Sequence, residues 1–341
     1  MKVEVYSPTI RRKEMDAVLT AMVEDKIGPG EQSQFLIQVA KESLGFDNCL
    51  ALRSPVFALF LALKSLNFED GAGVVLSALS PRYYIRVLED LRLRPIYCDV
   101  SASFPCIDRE TLEYACKREE PLPKCILLHH TLGFVPDIAS ILQVGLPVIE
   151  DCSQSYGTAG KPASLGTFTL LGLEERDMLT SGGGALLYGV NPRDVSVLQN
   201  RGGDLPPEYG IPDMNAAMAV VQFREGAKNL EKRKEIARIY TQSALRTRHK
   251  RFIPKDEESY NNYAFSLILE TGMKEVKTYA KRKDIVVVSA FDGTLMGSGM
   301  VEPILCPESY SLSLRTVLFP LYPRLGAADI EKVAKLIVSL P

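Results

Sequence analysis

The sequence predicts an α/β protein whose large domain contains a mainly parallel sheet and is followed by a small α+β domain. Short apolar runs rich in Val, Ile and Leu alternate with longer amphipathic stretches, which is the pattern of buried parallel strands joined by helices. The chain of 341 residues is also too long for a single hydrophobic core, since single cores stop growing near about 250–300 residues. We therefore expect a large domain over residues 1–225 and a linking helix with the small domain over residues 226–341.

Apolar runs and amphipathic segments define the elements of the large domain. Four runs predict strands: Val74–Leu79, Pro95–Asp99, Lys124–His129 and Pro147–Asp151. Amphipathic segments between them predict crossover helices: Pro81–Leu93 and Asp108–Arg118. After Gly182–Gly184, the run Ala185–Tyr188 predicts a further strand.

The C-terminal part has fewer and shorter apolar runs. A long helical pattern dense in Ala, Glu, Lys and Arg links the domains over Met214–Arg248. The small domain contains two strand candidates, Ala264–Leu269 and Ile285–Val288, and a closing helix Ala328–Leu340 after the turn Pro320–Pro323.

Charge and composition exclude several classes of partner. With 40 basic against 42 acidic residues, there is no electrostatic footprint for nucleic acid or for an anionic membrane surface. No apolar stretch is long enough for a signal peptide or a membrane span, so we expect a soluble cytoplasmic protein. Seven cysteines without a C-x-x-C pair or nearby histidines predict reduced thiols, with no disulfide framework and no metal site.

Asp151 is the first candidate site residue. It ends the apolar run Val148–Asp151, and ligands of open parallel sheets gather at the carboxyl ends of the strands. Taken alone, the turn Asp-Cys-Ser-Gln that begins here could equally cap the next helix.

Five motifs in order resemble the DegT/StrS family of fold-type I nucleotide-sugar aminotransferases, which depend on pyridoxal phosphate (PLP). The most specific is VIEDCSQSYG at residues 148–157, which looks like the family's V-I-E-D-x-A-Q-A-x-G element. The others are the loop Ile27–Gly30 followed by Phe35, the strand and turn Ile126–Pro136, the helix Ala216–Glu235, and the turn Leu318–Pro323. The resemblance covers nearly the whole chain and implies the fold-type I PLP-transferase architecture for the large domain.

The resemblance also implies a cofactor site and partners. The Asp at the position of Asp151 pairs with the pyridine nitrogen of PLP in the family, and the Gln at the position of Gln154 contacts the ring hydroxyl. Both residues are present here as the remnant of a PLP site. Because the family site lies between two subunits, we expect a homodimer with its interface near Ile27–Gly30 and Tyr209–Met214, and a nucleotide-sugar ligand.

The lysine that forms the Schiff base with PLP in the family has no counterpart here. Counting along F-S-F-x-x-x-K-x-x-T-x-G-E-G-G places Arg176 or Asp177 at its position, and neither can form an imine. No lysine occurs between Lys161 and Lys228, so a local shift of the alignment cannot supply one. Related sugar dehydratases use histidine instead, but the only histidines here are His129, His130 and His249.

The phosphate-binding residues of the family are replaced as well. The loop S-S-G-T-A-A-L appears as Arg53–Leu59, where Pro55 lacks an N–H and Val56 lacks a hydroxyl. The Ser of F-S-F is Gly172, and the Asn supplied by the neighbouring subunit falls at Ile211. The aromatic residue that stacks on the ring falls near Pro81.

These losses predict a non-catalytic binding or regulatory homologue in nucleotide-sugar and surface-polysaccharide biosynthesis, with no catalytic residue and no cofactor. The alternatives are an active PLP- or PMP-dependent aminotransferase and an enzyme of other chemistry in the same pocket. Besides Asp151 and Gln154, the candidate pocket residues are Arg53, Ser54, Tyr83, His130 and Arg176. His129 and His130, at a strand end, could instead be structural.

Without a pyridinium, Asp151 would be a buried carboxylate that lacks its cation, which is costly unless something compensates. We expect an arginine to occupy the cofactor space and to pair with Asp151 or a bound anion, Arg176 before Arg53. In the alternative, the charged loop Glu174–Asp177 swings out to solvent and water fills the pocket.

Overall fold

A seven-stranded sheet forms the centre of the large α/β unit. The computed structural model describes residues 2–158, 165–189 and 191–341. The order across this sheet is β1-β7-β6-β5-β4-β2-β3. Its strands are β1 Cys49–Leu52, β2 Gly73–Ser77, β3 Arg94–Cys98, β4 Cys125–His129, β5 Val148–Asp151, β6 Phe168–Gly172 and β7 Ala185–Gly189.

Most neighbouring strands of this sheet are parallel. Strands β3, β2, β4, β5 and β6 pair in parallel, whereas β7 runs antiparallel to both β6 and β1. Every residue of β2, β4, β5, β6 and β7 is buried, as expected for a sheet covered on both faces. The predicted fold-type I PLP-transferase-like architecture with a mainly parallel sheet is confirmed.

Helices connect and cover the strands, with α4 joining β2 to β3 and α5 joining β3 to β4. The helices are α1 Arg12–Val23, α2 Glu31–Leu44, α3 Pro55–Ser65, α4 Tyr83–Asp90, α5 Arg109–Lys117, α6 Ile138–Leu142, α7 Pro192–Gly203, α8 Asp213–Ala244, α9 Met273–Arg282, α10 Pro307–Arg315 and α11 Ala327–Val338. Among the described residues, no helix combines the length and the apolar character that crossing a membrane requires.

A second, three-stranded antiparallel sheet lies in the C-terminal part. Its order is β8-β10-β9, with β8 at Phe265–Ile268, β9 at Val288–Ser289 and β10 at Thr316–Phe319. A separate apolar core joins this sheet to α11 and to the C-terminal half of α8 through buried residues such as Ile236 and Tyr240. Helix α8 is continuous across residue 225, where we expected the large domain to end.

Most predicted elements lie within one or two residues of the observed ones. The strand prediction Ile285–Val288 is mostly wrong: only Val288 belongs to β9, and Ile285 instead forms an isolated bridge with Val3 near the N-terminus. Strand β10 directly precedes the turn that we recognised and was not predicted. An apolar run alone does not show which strand it will pair with, because strand pairing depends on the rest of the fold.

A buried carboxylate joins the start of α8 to the start of α2. Asp213 is 1% exposed and accepts hydrogen bonds from the backbone N–H groups of Gly30 (2.9 Å), Gln32 (3.1 Å) and Ser33 (2.9 Å). These are orphan donors of the first turn of α2, where negative charge is favoured. The loop Ile27–Gly30 is therefore fixed against the segment that precedes α8.

Asp213→Asn should lower the free energy of unfolding by about 1–2 kcal/mol, because the amide removes the charge and can present only one oxygen to three N–H donors. Urea titration followed by circular dichroism measures the change. Asp47→Asn, at an exposed position, is the matched control and should be neutral. An equal effect of both substitutions would show that Asp213 does not act as this cap.

Candidate functional site

The carboxyl ends of β2, β4 and β5 open into a cavity of about 360 Å³. Each strand is followed at once by a residue of the cavity wall: Leu79 and Pro81 after β2, Thr131 after β4, and Gln154 after β5. The remaining wall comes from Tyr6, the loop residues Arg176 and Asp177, Tyr263, and the segment Val288–Thr294. The cavity therefore lies where ligands of open α/β sheets bind.

Asp151 is buried at this end of β5 and is fully supplied with neutral donors. Its Oδ2 atom accepts the hydroxyls of Tyr84 at 2.7 Å and Tyr83 at 3.1 Å. Its Oδ1 atom accepts the backbone N–H of Ser153 at 3.0 Å and the Ser153 hydroxyl at 2.5 Å. Burial, followed by the nearby Asp151 charge, raises the pKa of both tyrosines well above the usual value, so both hydroxyls keep their protons.

The expectation that an arginine pairs with Asp151 is wrong. No ion pair of Asp151 occurs among the described residues. Arg176 is exposed and its guanidinium lies 5.1 Å from the centre of the Tyr6 ring. Arg53 is also exposed and donates to the backbone carbonyl of Glu208 at 3.4 Å. The tyrosine hydroxyls of α4 reach Asp151 instead, so the carboxylate needs no cation.

Asp177 and Arg176 both line the cavity, and Asp177 is the one of the two that accepts a hydrogen bond from the loop backbone. Its Oδ2 atom accepts the backbone N–H of Glu174 at 2.8 Å and lies directly over Gly172. A Cβ atom on Gly172 would come within 2.4 Å of this oxygen. Burial raises the pKa of Asp177 well above its usual range, and the charges of Asp151 and Glu174 raise it further. The loop is thus neither wholly in solvent nor paired through its arginine. Of the two residues that counting assigns to the lysine position, Asp177 is the one whose carboxyl group lies beside Gly172.

Gln154 and His129 complete the cavity floor near Asp151. The Gln154 Oε1 atom accepts the backbone N–H of Leu132 at 2.7 Å, and Leu132 has a φ of 56°, which is unusual for a bulky residue. His129 pairs in register with Asp151 across β4 and β5. Burial lowers the pKa of His129 to about 4, so its ring is neutral at pH 7.

His130 lies outside the cavity, contrary to the expectation. Its Nδ1 atom lies 2.8 Å from the Ser155 hydroxyl, and its Nε2 atom lies 3.6 Å from the Glu150 carboxylate. His130, Glu150 and Cys152 offer metal-ligand atoms that lie within 4.8 Å of one another. Burial raises the pKa of the Cys152 thiol well above its usual value, whereas metals bind the thiolate. We therefore interpret this cluster as structural.

Arg53 and Ser54 also lie outside the cavity wall. Ser54 is the N-cap of α3, where its hydroxyl accepts the N–H of Phe57 at 3.2 Å. Pro55 occupies the first helical position and offers no N–H, so little of this helix start is available to hold a phosphate. Ile211 is fully buried within the chain and therefore cannot reach a neighbouring subunit's site.

Several site residues could not be identified from the sequence. Tyr84 donates to Asp151 at 2.7 Å, and Tyr6 and Tyr263 lie far along the chain from the other wall residues. For Tyr84, the sequence offered one signal of a role at the site: the doublet Tyr83-Tyr84 at the start of a helix that follows a strand end.

The fold and the placement of Asp151 define a fold-type I PLP-transferase-like protein. The sequence model of the DegT/DnrJ/EryC1/StrS aminotransferase family matches residues 8–338, and the chain belongs to this family. A curated relative is dTDP-4-dehydro-2,3,6-trideoxy-D-glucose 4-aminotransferase of Saccharopolyspora spinosa, 26% identical over 272 residues, which are 70% of each chain.

Solved structures share the fold at low sequence identity. The aminotransferase TlmJ of Streptoalloteichus hindustanus is 18% identical with a TM-score of 0.88, covering 99% of this chain and 98% of that one. A putative sugar aminotransferase of Streptococcus pneumoniae in its apo form is 17% identical with a TM-score of 0.88, covering 99% and 97%. At this identity the comparison concerns the fold alone.

Tyr84→Phe should lower the free energy of unfolding by about 1.5–3 kcal/mol, because it removes a hydrogen bond to a buried carboxylate and little else. Chemical denaturation measures this loss. The same change at Tyr114, which is 64% exposed, should leave stability unchanged. If the two variants unfold alike, the tyrosine hydroxyl does not stabilise Asp151.

Asp177→Asn should stabilise the protein near neutral pH by about 0.5–2 kcal/mol, because the amide keeps the bond from Glu174 and avoids a buried charge. The pKa of Asp177 is raised in the folded protein. Its contribution to the free energy of unfolding is therefore fully present below the pKa of an unfolded Asp, about 3.9, and is lost as the pH rises through the folded pKa. Thermal unfolding of both proteins between pH 4 and pH 8 should therefore show a difference that disappears at the acidic end. A difference independent of pH would contradict this assignment.

Proposed function

We propose that this chain has lost PLP-dependent transamination and serves as a binding or regulatory member of its family in nucleotide-sugar and surface-polysaccharide biosynthesis. The observation that supports this most directly is the carboxyl group of Asp177, which lies over Gly172 in the part of the site where the family pattern places a lysine. A carboxyl group cannot form an imine with an aldehyde.

The residues around the site do not fit PLP as the resemblance would require. A protonated pyridine nitrogen would have to compete with Tyr83, Tyr84 and Ser153 for Asp151. Gly172 has no hydroxyl for the phosphate, and a serine there would collide with Asp177. The cation beside the cavity, Arg176, is stacked on Tyr6. Asp151 is thus satisfied by hydrogen bonds from its own neighbours.

A non-covalent PLP or PMP complex is the second candidate function. Asp151 and Gln154 are retained: Gln154 belongs to the cavity wall, and Asp151 is buried at the end of β5. In that case Tyr83 would have to move away from Asp151, and PMP, which needs no lysine to be held, would be the more suitable form. Such an enzyme would still lack the amine that normally shuttles the proton.

Purified protein incubated with PLP and then desalted should show no absorbance band beyond about 380 nm, because no lysine lies in the cavity wall among the residues that the structure describes. An unrelated PLP enzyme treated in parallel verifies the desalting step. The same scan with PMP, read by fluorescence, tests the second candidate. A band that survives desalting and is lost in Asp151→Asn would contradict the proposed loss of the cofactor.

The homodimer expected from the resemblance is part of this proposal. The loop Ile27–Gly30 and the segment before α8 lie together through Asp213, and Ile27 and Tyr209 are 55% and 43% exposed beside it. Helix α1 adds the exposed side chains of Met15, Leu19 and Met22. Large apolar patches of this kind on one face favour association.

Sedimentation velocity at micromolar concentration should give a dimer, and Ile27→Glu should shift it to monomer by burying a charge in an apolar contact. Ile304→Glu is the control, because Ile304 is 84% exposed on the distant α9–α10 connection. A wild-type monomer, or equal behaviour of the two variants, would count against the proposed interface.

A further inference from the structure

The cavity presents acceptor atoms that none of the described residues uses. Asp177 contributes one carboxylate oxygen to the N–H of Glu174, and its other oxygen has no hydrogen-bond partner among the described residues. The side chain belongs to the cavity wall. A carboxylate oxygen that faces a small-molecule-sized space is available to a donor brought by a ligand.

His129 provides a second, independent group of this kind. Its side chain is 4% exposed and contributes to the same wall. The Nδ1 atom lies 2.9 Å from the Thr131 hydroxyl, which leaves Nε2 without a partner in the described part of the chain. Because burial keeps the ring neutral, Nε2 can accept a hydrogen bond when Nδ1 carries the proton.

The charges around the cavity favour a cationic ligand. Asp177 and Asp292 are wall residues and Asp151 lies behind them, whereas Arg176 is the cationic wall residue. Arg176 is exposed at the mouth and stacked on Tyr6. The wall thus carries two carboxyl groups, Asp177 and the exposed Asp292, against the guanidinium of Arg176. The charge of the buried Arg233 acts on the wall from behind Tyr6 and Tyr263.

We propose that this cavity binds the protonated primary amine of a sugar-sized ligand, with the Asp177 carboxylate as its counter-ion and His129 Nε2 as a second acceptor. The inference rests on the proposed function in one respect: PLP does not occupy the cavity. The expected arrangement reverses that of the family, since the protein contributes the carboxylate and the ligand contributes the amine.

An ammonium group suits these acceptors in number and charge. It has three N–H donors and no acceptor, so it can bond Asp177 and His129 at the same time. An opposite charge within about 4–6 Å also favours the ionised form of a buried carboxyl. The ligand would thus offset the cost of burying Asp177, which nothing in the described chain does: its one hydrogen bond comes from a backbone N–H. The volume, about 360 Å³, is adequate for one sugar ring.

Calorimetric titration of PLP-free protein with D-glucosamine and with N-acetyl-D-glucosamine tests the proposal, because the two sugars differ in whether the nitrogen can carry a charge. We expect saturable binding of D-glucosamine and binding of the acetylated sugar weaker by about tenfold or more, as for loss of a charge-assisted hydrogen bond. Asp177→Asn should lose the same factor for D-glucosamine and leave the acetylated sugar unaffected.

Glu175→Gln is the matched control, since Glu175 is an exposed neighbour outside the cavity wall and its loss removes the same formal charge. It should bind D-glucosamine as the wild type does. Equal binding of the two sugars, equal weakening by both substitutions, or no binding of D-glucosamine at millimolar concentration would overturn the proposal. These outcomes are distinct from a failure of the proposed function, which a PLP band on the untreated protein would reveal.

Discussion

The buried carboxylate of Asp151 is the constraint on which the site depends. A charge at the end of a central strand is costly unless it is hydrogen-bonded, and here the donors come from two places in the chain. Tyr83 and Tyr84 orient the start of α4, and Ser153 orients the turn after β5. The Ser153 hydroxyl also lies 2.8 Å from the N–H of Gly172, so it connects this network to the end of β6. Asp151 thus connects the start of α4 with the ends of strands β5 and β6.

Asp177 is the costly member of the same arrangement. It lies near Asp151 without a cation, and the charge of Asp151 makes ionisation of Asp177 less favourable. Residues whose local interactions are unfavourable, and which no neighbouring residue stabilises, tend to lie at functional sites. Arg176 could have provided compensation from the next position but stacks on Tyr6 instead. A cationic ligand would contribute the positive charge that no described residue pairs with Asp177.

The sequence predicts the sheet well and the site only in part, for physical reasons. Strands such as β4 and β5 are buried on both faces, so their apolar runs are visible without knowledge of their partners. Asp151 was identifiable because a strand end fixes its place. The hydrogen-bond partners of Asp151 were not identifiable from the sequence. Several donors could bond to one carboxylate, and which of them do depends on which side chains reach it in three dimensions. Tyr84 does so from a helix start, and Arg176 does not.

The departures from the family pattern at Gly172 and Asp177 are coupled rather than independent. A Cβ atom at residue 172 would lie 2.4 Å from the Asp177 carboxylate and 2.8 Å from the Ser153 hydroxyl. Neither distance is compatible with a side chain at that position unless its neighbours move. The serine that contacts phosphate in the family pattern therefore cannot coexist with the inward Asp177 and with the Ser153 bond to Asp151. The glycine at residue 172, the inward Asp177 carboxyl group and the hydrogen bonds of Ser153 to Asp151 therefore depend on one another in this packing. Restoring a lysine alone would leave the phosphate position without its hydroxyl and Asp151 still bonded to its tyrosines.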